Sequence, residues 1–182
     1  LKPITDLMAG IPSIVYGFFG LVVIVPLMQS IFSSSSGKSI LTASIMLGIM
    51  ILPTIISVSE SAIRAVPESY YEGALALGAT HERSVFRATL PAAKSGVMAG
   101  IILGIGRAIG EALAVSMVAG NMAIIPDSLL SGVRTLTSNI VLEMGYAADL
   151  HREALIATGV VLFIFILIIN LLFSLVKRRE NR

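Results

Sequence analysis

Four stretches of this sequence are long and apolar enough to cross about 30 Å of hydrocarbon as helices, and nothing else in it limits the fold so tightly. They run over roughly 11–32 ("IPSIVYGFFGLVVIVPLMQSIF"), 40–59, 92–120 and 154–176. Inside lipid a chain must satisfy its own backbone hydrogen bonds, so only helices and closed barrels span. Strand-like alternation of polar and apolar residues is missing, which excludes a β-barrel. The expected fold is all-α, a polytopic transmembrane helical bundle forming one transmembrane domain over residues 1–182. Pro26 and Pro53 fall inside the first two spans and are expected to kink them, with neighbouring helices satisfying the freed carbonyls.

Charge supports a lipid setting. Only 13% of the residues are charged, against about 25% in soluble domains. The net charge of +2 is too small for a nucleic-acid binder, and its basic residues are scattered over loops. With no cysteine there is no disulfide framework, thiolate nucleophile or thiolate metal site. The opening "LKPITDLMAG" has neither an initiator Met nor the features of a signal peptide, and reads as the start of a fragment of a longer protein.

Orientation follows from the loops. If the 60–91 loop is cytoplasmic, both ends are too, and nine basic residues lie inside: Lys2, Arg64, Arg83, Arg87, Lys94, Lys177, Arg178, Arg179 and Arg182. Three (Lys38, Arg134 and Arg152) lie outside, and Arg107 is in the membrane. That is a positive-inside bias. It turns the 121–153 loop outward.

Two motif-like strings carry no chemistry. "SSSSGKS" (33–39) ends like a phosphate-binding P-loop, but Phe32 stands where the first Gly is required and no strand precedes it. "HERSV" (81–85) begins like a zinc-protease motif, yet Val85 occupies the second ligand position. His81 and His151 fall on opposite sides of the membrane and cannot share a metal. No enzyme site, metal site or cofactor is implied, and any ATP hydrolysis belongs to another chain.

The 66–91 stretch, "VPESYYEGALALGATHERSVFRATLP", is neither span nor linker. Pro67 suits a first helical turn and Glu68 complements its dipole. Gly78 suits the C-terminal cap. Thr80 can cap a second short helix running through Phe86, and Pro91 is expected to stop it before the next span. Two such helices would lie under the membrane as a small, mostly non-polar knob. By residues alone, an interfacial hairpin without a partner and a docking element fit equally. A DNA-reading helix-turn-helix does not, because Glu82 interrupts the basic character of Arg83 and Arg87.

Within this loop Glu72-Gly73-Ala74, then Gly78, then Leu90-Pro91 resembles the E-A-A–x3–G–x9–I–x–L-P signature of ABC importer permeases. The spacing matches throughout, with Gly73 for the first Ala and Ala88 for the Ile. "AGIPSIVYGFFGL", "LPAAKSGVMAGIILGIGRAIGEALAVSMVAGN" and "TLTSNIVLEMGYA" are similar to the PstC-type permeases of phosphate importers, almost end to end. The resemblance implies that the loop couples to a cleft of the ATPase, and that the four spans are the last four of a larger set. It also implies a paralogous second permease subunit, a pair of ATPase subunits and an extracytoplasmic phosphate-binding protein as partners, in the lipid of a bacterial inner membrane.

The third span carries Arg107 and Glu111. A charge at the bilayer centre costs about 2.5–3.5 kcal/mol on insertion scales, so it asks for a reason. At about 100° per residue a continuous helix puts Gly96, Gly100, Gly104, Arg107 and Glu111 within one narrow stripe. Small residues at this spacing allow close helix packing, which buries the stripe in protein. Arg107 would lie about 22 Å beyond Ala92 along the axis. A structural ion pair is one reading. The other is a substrate path, in which the planar Arg107 fork grips a tetrahedral oxyanion and Glu111 restrains Arg107 when the path is empty. The resemblance implies phosphate as that anion.

In the outer loop, "VRTLTSNIVLEMGYA" has helical spacing and is expected to lie on the outer surface. Two rivals stay open: a permease for another oxyanion such as sulfate or molybdate, and a passive channel or membrane scaffold.

Overall fold

The computed structural model describes residues 2–32 and 36–180. The described chain is helical, with one isolated bridge between Gly120 and Val133 and no strand. Four of its helical segments are long and apolar enough to cross a membrane: Ser13–Ile31, Ile40–Arg64, His81–Gly110 and Asp149–Leu175. Residues 33–35 of the rejected P-loop string, and the last two residues of the chain, lie outside the described residues.

A short helix α1 (Lys2–Ala9) leads into α2 (Ser13–Phe19). A π-helical turn over Gly20–Ile24 then joins it to α3 (Val25–Ile31). This turn is the answer to Pro26. A proline has no N–H and its ring clashes with the carbonyl four residues back. Widening the preceding turn, so that Val25 N–H donates to Gly20 O, carries the helix past it.

Helix α4 (Ile40–Arg64) starts at Ser39, whose Oγ accepts from the Thr42 amide at 3.2 Å, and runs unbroken through Pro53. Two short helices follow, α5 (Glu68–Ala76) and α6 (His81–Ser84). The next element differs from expectation. Pro91 does not stop α6, because a second π-helical turn, Val85–Thr89, carries the chain into α7 (Leu90–Gly110). Leu90 N–H donates to Val85 O just before the proline, the same device as at Pro26.

The third apolar stretch is not one helix. α7 ends at Gly110, Glu111 turns extended at ψ 122°, and a separate α8 (Leu113–Val118) follows. The continuous helix expected over 92–120 is therefore broken about two-thirds of the way along, with Gly106 and Gly110, both weak helix formers, leading into the break. α9 (Leu136–Glu143) and α10 (Asp149–Glu180) complete the chain.

The core forms where α2, α3 and α4 enclose α8: Met28, Met46, Met50, Ala114, Val115 and Val118 are buried together. α4 and α7 make the most extensive helix pair. α10 touches α9 and α7 and buries Leu155, but most of its described apolar side chains are exposed, as a face for lipid or protein would be.

Candidate functional site

The α4–α7 pair is built on glycine. A Cβ on Gly96 would overlap the Ala62 Cβ, and one on Gly104 would fall 2.5 Å from Ile55 Cγ1. On Gly100 it would stand 3.2 Å from Val58. The three glycines thus bring the backbone of α7 against α4, burying Gly100 and Gly104. This close approach sets where Arg107 ends up.

Arg107 lies in the last turn of α7, where a cation complements the helix dipole. Half-buried, it donates from Nη1 to Thr54 Oγ1 of α4 at 3.1 Å. That is its one hydrogen bond among the described residues, out of the five N–H donors a guanidinium carries. On its other flank Arg107 borders a groove of 590 Å³ between α7 and α10, whose polar residues besides Arg107 are Asn170 and Ser174.

Glu111 does not pair with Arg107 among the described residues. The expectation that both charges share one continuous face is corrected by the break: turning extended at ψ 122° takes Glu111 off the helix. Its Oε1 instead accepts from the Ala114 amide at 3.1 Å, capping the start of α8. Each charge is held by a different neighbour, and four of the five guanidinium N–H donors make no hydrogen bond among the described residues.

A helix break at membrane depth is tolerated only where the freed backbone groups find partners in the protein. Here α9 provides them. Thr137 Oγ1 donates to Glu111 O at 3.0 Å and Ser138 Oγ to Ala112 O at 3.4 Å. The amphipathic stretch expected to lie on the outer surface therefore buries its first turn against the broken span. Thr54, Thr137 and Ser138 went unnoticed in the sequence; a lone hydroxyl after Pro53 and a Thr/Ser-rich helix start were the available signals.

The loop between α4 and α7 is shaped as a knob. Gly78 has φ +83°, Gly78 N–H donates to Leu75 O at 2.8 Å, and Ala79 N–H donates to Ala74 O at 3.1 Å. This pair of bonds is a Schellman cap, and the left-handed residue in it is a glycine. Thr80 Oγ1 accepts from the Arg83 amide at 3.3 Å, and the Tyr71 hydroxyl is 2.7 Å from His81 Nδ1, tying α5 to α6. Glu72, Gly73, Gly78 and Pro91 are exposed, whereas Ala74 and Leu90 are half-buried. A Cβ on Gly73 or Gly78 would meet nothing within 4 Å. Leu77 at 90% and Phe86 at 66% exposure stand out from the knob and were not singled out in the sequence. A large apolar residue just before a helix-ending glycine, with no core beside it, is the signal that marked Leu77.

Outside the spans, Glu143 gathers a polar corner. Its Oε1 accepts from Arg134 Nη1 at 2.7 Å, and its Oε2 accepts from the Tyr146 hydroxyl and lies 3.6 Å from His151 Nε2. The Tyr146 hydrogen bond first, and Arg134 after it, hold the Glu143 carboxyl below the usual range, while Glu143 pushes the Tyr146 phenol up. Arg134 Nε also donates to Asn121 O at 3.1 Å, so this corner closes the loop from α8 to α9.

Known proteins share this architecture and sequence. The "Probable ABC transporter permease protein YqgH" of Bacillus subtilis is 44% identical over 180 residues, covering 96% of this chain and 58% of the relative. The "Phosphate transport system permease protein PstC" of Pasteurella multocida is 34% identical over 200 residues, covering 97% and 62%. A "Probable phosphate transport system permease protein PstC" of Methanocaldococcus jannaschii is 32% identical over 198 residues, covering 98% and 62%. The chain thus spans about three-fifths of these relatives' lengths. Among solved structures, an inward-facing MetNI methionine ABC transporter superposes with a TM-score of 0.72 at 21% identity, covering 99% of this chain and 74% of that one. That likeness shows the fold, an ABC transporter permease fold. Residues 1–182 match the family described as "Binding-protein-dependent transport system inner membrane component", and the chain belongs to that family.

Proposed function

We propose that this chain is the permease subunit of an ATP-driven importer that carries inorganic phosphate into the cell. The observation behind the substrate is Arg107, a half-buried guanidinium within a span, with one hydrogen bond spent on Thr54 and a groove at its side. Its planar fork suits two parallel bonds to a tetrahedral oxyanion. Relatives at 32–34% identity carry phosphate transport in their names. Glu111 lies in the same region and holds the start of α8 in place.

In this reading the exposed knob of α5 and α6, with Glu72, Gly73, Ala74, Gly78, Leu90 and Pro91, docks into an ATPase subunit on the cytoplasmic side. Hydrolysis occurs on that separate chain. Leu77 and Phe86 supply the apolar contact area. The corner around Glu143 faces out, toward a phosphate-binding protein, and a paralogous permease completes the path. The basic-residue bias sets this orientation in the inner membrane, with both ends of the chain cytoplasmic. One Arg does not distinguish phosphate from sulfate, so selectivity at high affinity belongs to the binding protein.

A permease for sulfate or molybdate is the second reading. It stays open because the name of the 44% identical relative carries no substrate. Proteoliposomes holding the full-length chain with its second permease and ATPase separate the two, given ATP on the knob side and the binding protein on the other. Phosphate uptake that requires ATP and withstands excess sulfate and molybdate is expected. Uptake of sulfate or molybdate in its place would replace the reading.

A further inference from the structure

We propose that Thr137, with Ser138 beside it, is a positioning residue for Glu111. The pair forms a hydroxyl latch by which the outer loop sets the geometry of the broken span. The inference deepens the transport reading and rests on it for its transport arm.

Glu111 O lies outside both α7 and α8, and among the described residues its donor is Thr137 Oγ1 at 3.0 Å. Ala112 O already accepts from the Ser116 amide at 2.9 Å and receives Ser138 Oγ, at 3.4 Å, as a weaker second donor. Both hydroxyls are shielded from solvent, Thr137 at 8% exposure and Ser138 at 0%. Water therefore has no easy way to replace them, and a buried carbonyl without a donor carries its full desolvation cost.

The latch is itself held from the other side. Thr135 Oγ1 accepts from the Ser138 amide at 3.2 Å and donates to Ser138 Oγ at 2.9 Å, fixing the start of α9. One residue earlier, Arg134 joins Asn121 O to Glu143. Val133 N–H donates to Ala119 O at 2.8 Å, so the loop returns to the end of α8. Movement of this frame shifts Thr137 and, through a single hydrogen bond, the peptide that carries Glu111. The carboxylate of Glu111 in turn caps α8. A ligand docking on the outer loop thereby acquires a mechanical route to the segment just past Arg107.

Two substitutions isolate the hydroxyl in the complete transporter: Thr137→Val keeps shape and removes the donor, and Thr137→Ser keeps the donor. Hydrogen–deuterium exchange of the 112–116 amides reads the break without reference to any substrate. Thr137→Val is expected to assemble normally and to speed exchange there about tenfold, as loss of one buried hydrogen bond would. Thr137→Ser is expected to exchange like the parent. In phosphate uptake, the maximal rate should fall about tenfold in Thr137→Val, with half-saturation unchanged because the binding protein sets it. Thr137→Ser should restore the rate. Exchange that stays at the parent level overturns the latch. Faster exchange with a normal uptake rate, or loss of assembly in Thr137→Val, overturns the positioning role and makes the bond a folding contact. A parent complex that moves sulfate and not phosphate refutes the substrate reading alone, and the Val and Ser comparison then decides the latch on that anion.

Discussion

Replacing Gly96, Gly100, Gly104 and Gly106 of α7 one at a time by alanine should produce a graded series set by the α4 surface. Alanine in a helix interior gains about 1 kcal/mol over glycine in propensity, so the outcome at each position depends on what the new methyl meets. At Gly106 it meets nothing within 4 Å, and Gly106→Ala should be stabilised by the propensity gain. At Gly100 the methyl stands 3.2 Å from Val58 Cβ and Cγ1, a tight contact that roughly cancels the gain. At Gly104 it stands 2.5 Å from Ile55 Cγ1 and 2.7 Å from Cδ1. Ile55 can turn away only by leaving its rotamer, and overpacking of this kind costs about 1–3 kcal/mol. Gly96 is worst placed, because the atom it meets is the Cβ of Ala62, fixed to the α4 backbone with no rotation available. Gly96→Ala should therefore lose about 2 kcal/mol net, and Gly104→Ala somewhat less. The assay is thermal unfolding of the purified transporter in one detergent, with all four variants side by side. A Gly96→Ala protein as stable as Gly106→Ala would refute the claim that the glycine stripe forms the α4–α7 interface.

Further outcomes follow from the knob, the outer corner and the loops. Gly78→Val forces a β-branched residue to φ +83° and should insert normally while uncoupling ATP hydrolysis from uptake; normal uptake would show that the knob's shape is not used. Glu143 has a lowered pKa, so its contribution should be present above its ordinary value of 4.5 and be lost as the pH falls through the lowered one. Tyr146, raised above 10.0, loses its contribution as the pH rises through the raised value. Protection of the 134–148 amides, taken relative to their intrinsic exchange at each pH, should therefore fall on the acid side as Glu143 is protonated, and Glu143→Gln should flatten that acid limb. For orientation, the chain has no native cysteine, so Ser36→Cys should react with an impermeant thiol reagent from outside and Glu82→Cys only from inside. Both residues are exposed, whereas Ser84 is buried and would not report. The opposite labelling pattern would invert the account.

The spans were legible because apolar length is a one-dimensional property. The Schellman cap at Gly78 was legible for a similar reason, since a glycine at a helix end with Thr80 two residues on has few other uses. The Gly96–Gly100–Gly104 stripe could be read from angular spacing, but its partner could not: the sequence holds no sign that Ala62, Val58 and Ile55 of α4 face it. Angular reasoning then failed at Glu111, because it assumes that the helix continues. What ends α7 is a competition the pattern does not encode, between one more turn of helix and a carboxylate that finds the Ala114 amide. Thr137 and Ser138, on which the broken backbone leans, come 26 residues later. Pro91 misled in the other direction. Proline rules of thumb describe an α-helix, and a π-helical turn before the ring removes the conflict.

Phosphate uptake by Arg107→Ala in the assembled transporter tests most directly whether Arg107 holds an anion in transit. Arg107→Ala should assemble, since the glycine stripe and not the guanidinium packs α7 against α4, and its only described tie is to Thr54. Its ATP-driven uptake of phosphate should be abolished, and Arg107→Lys should be poor as well, because a point charge lacks the bidentate fork. Arg107→Ala transporting phosphate at the parent rate would contradict the account and reduce Arg107 to a contact between two helices.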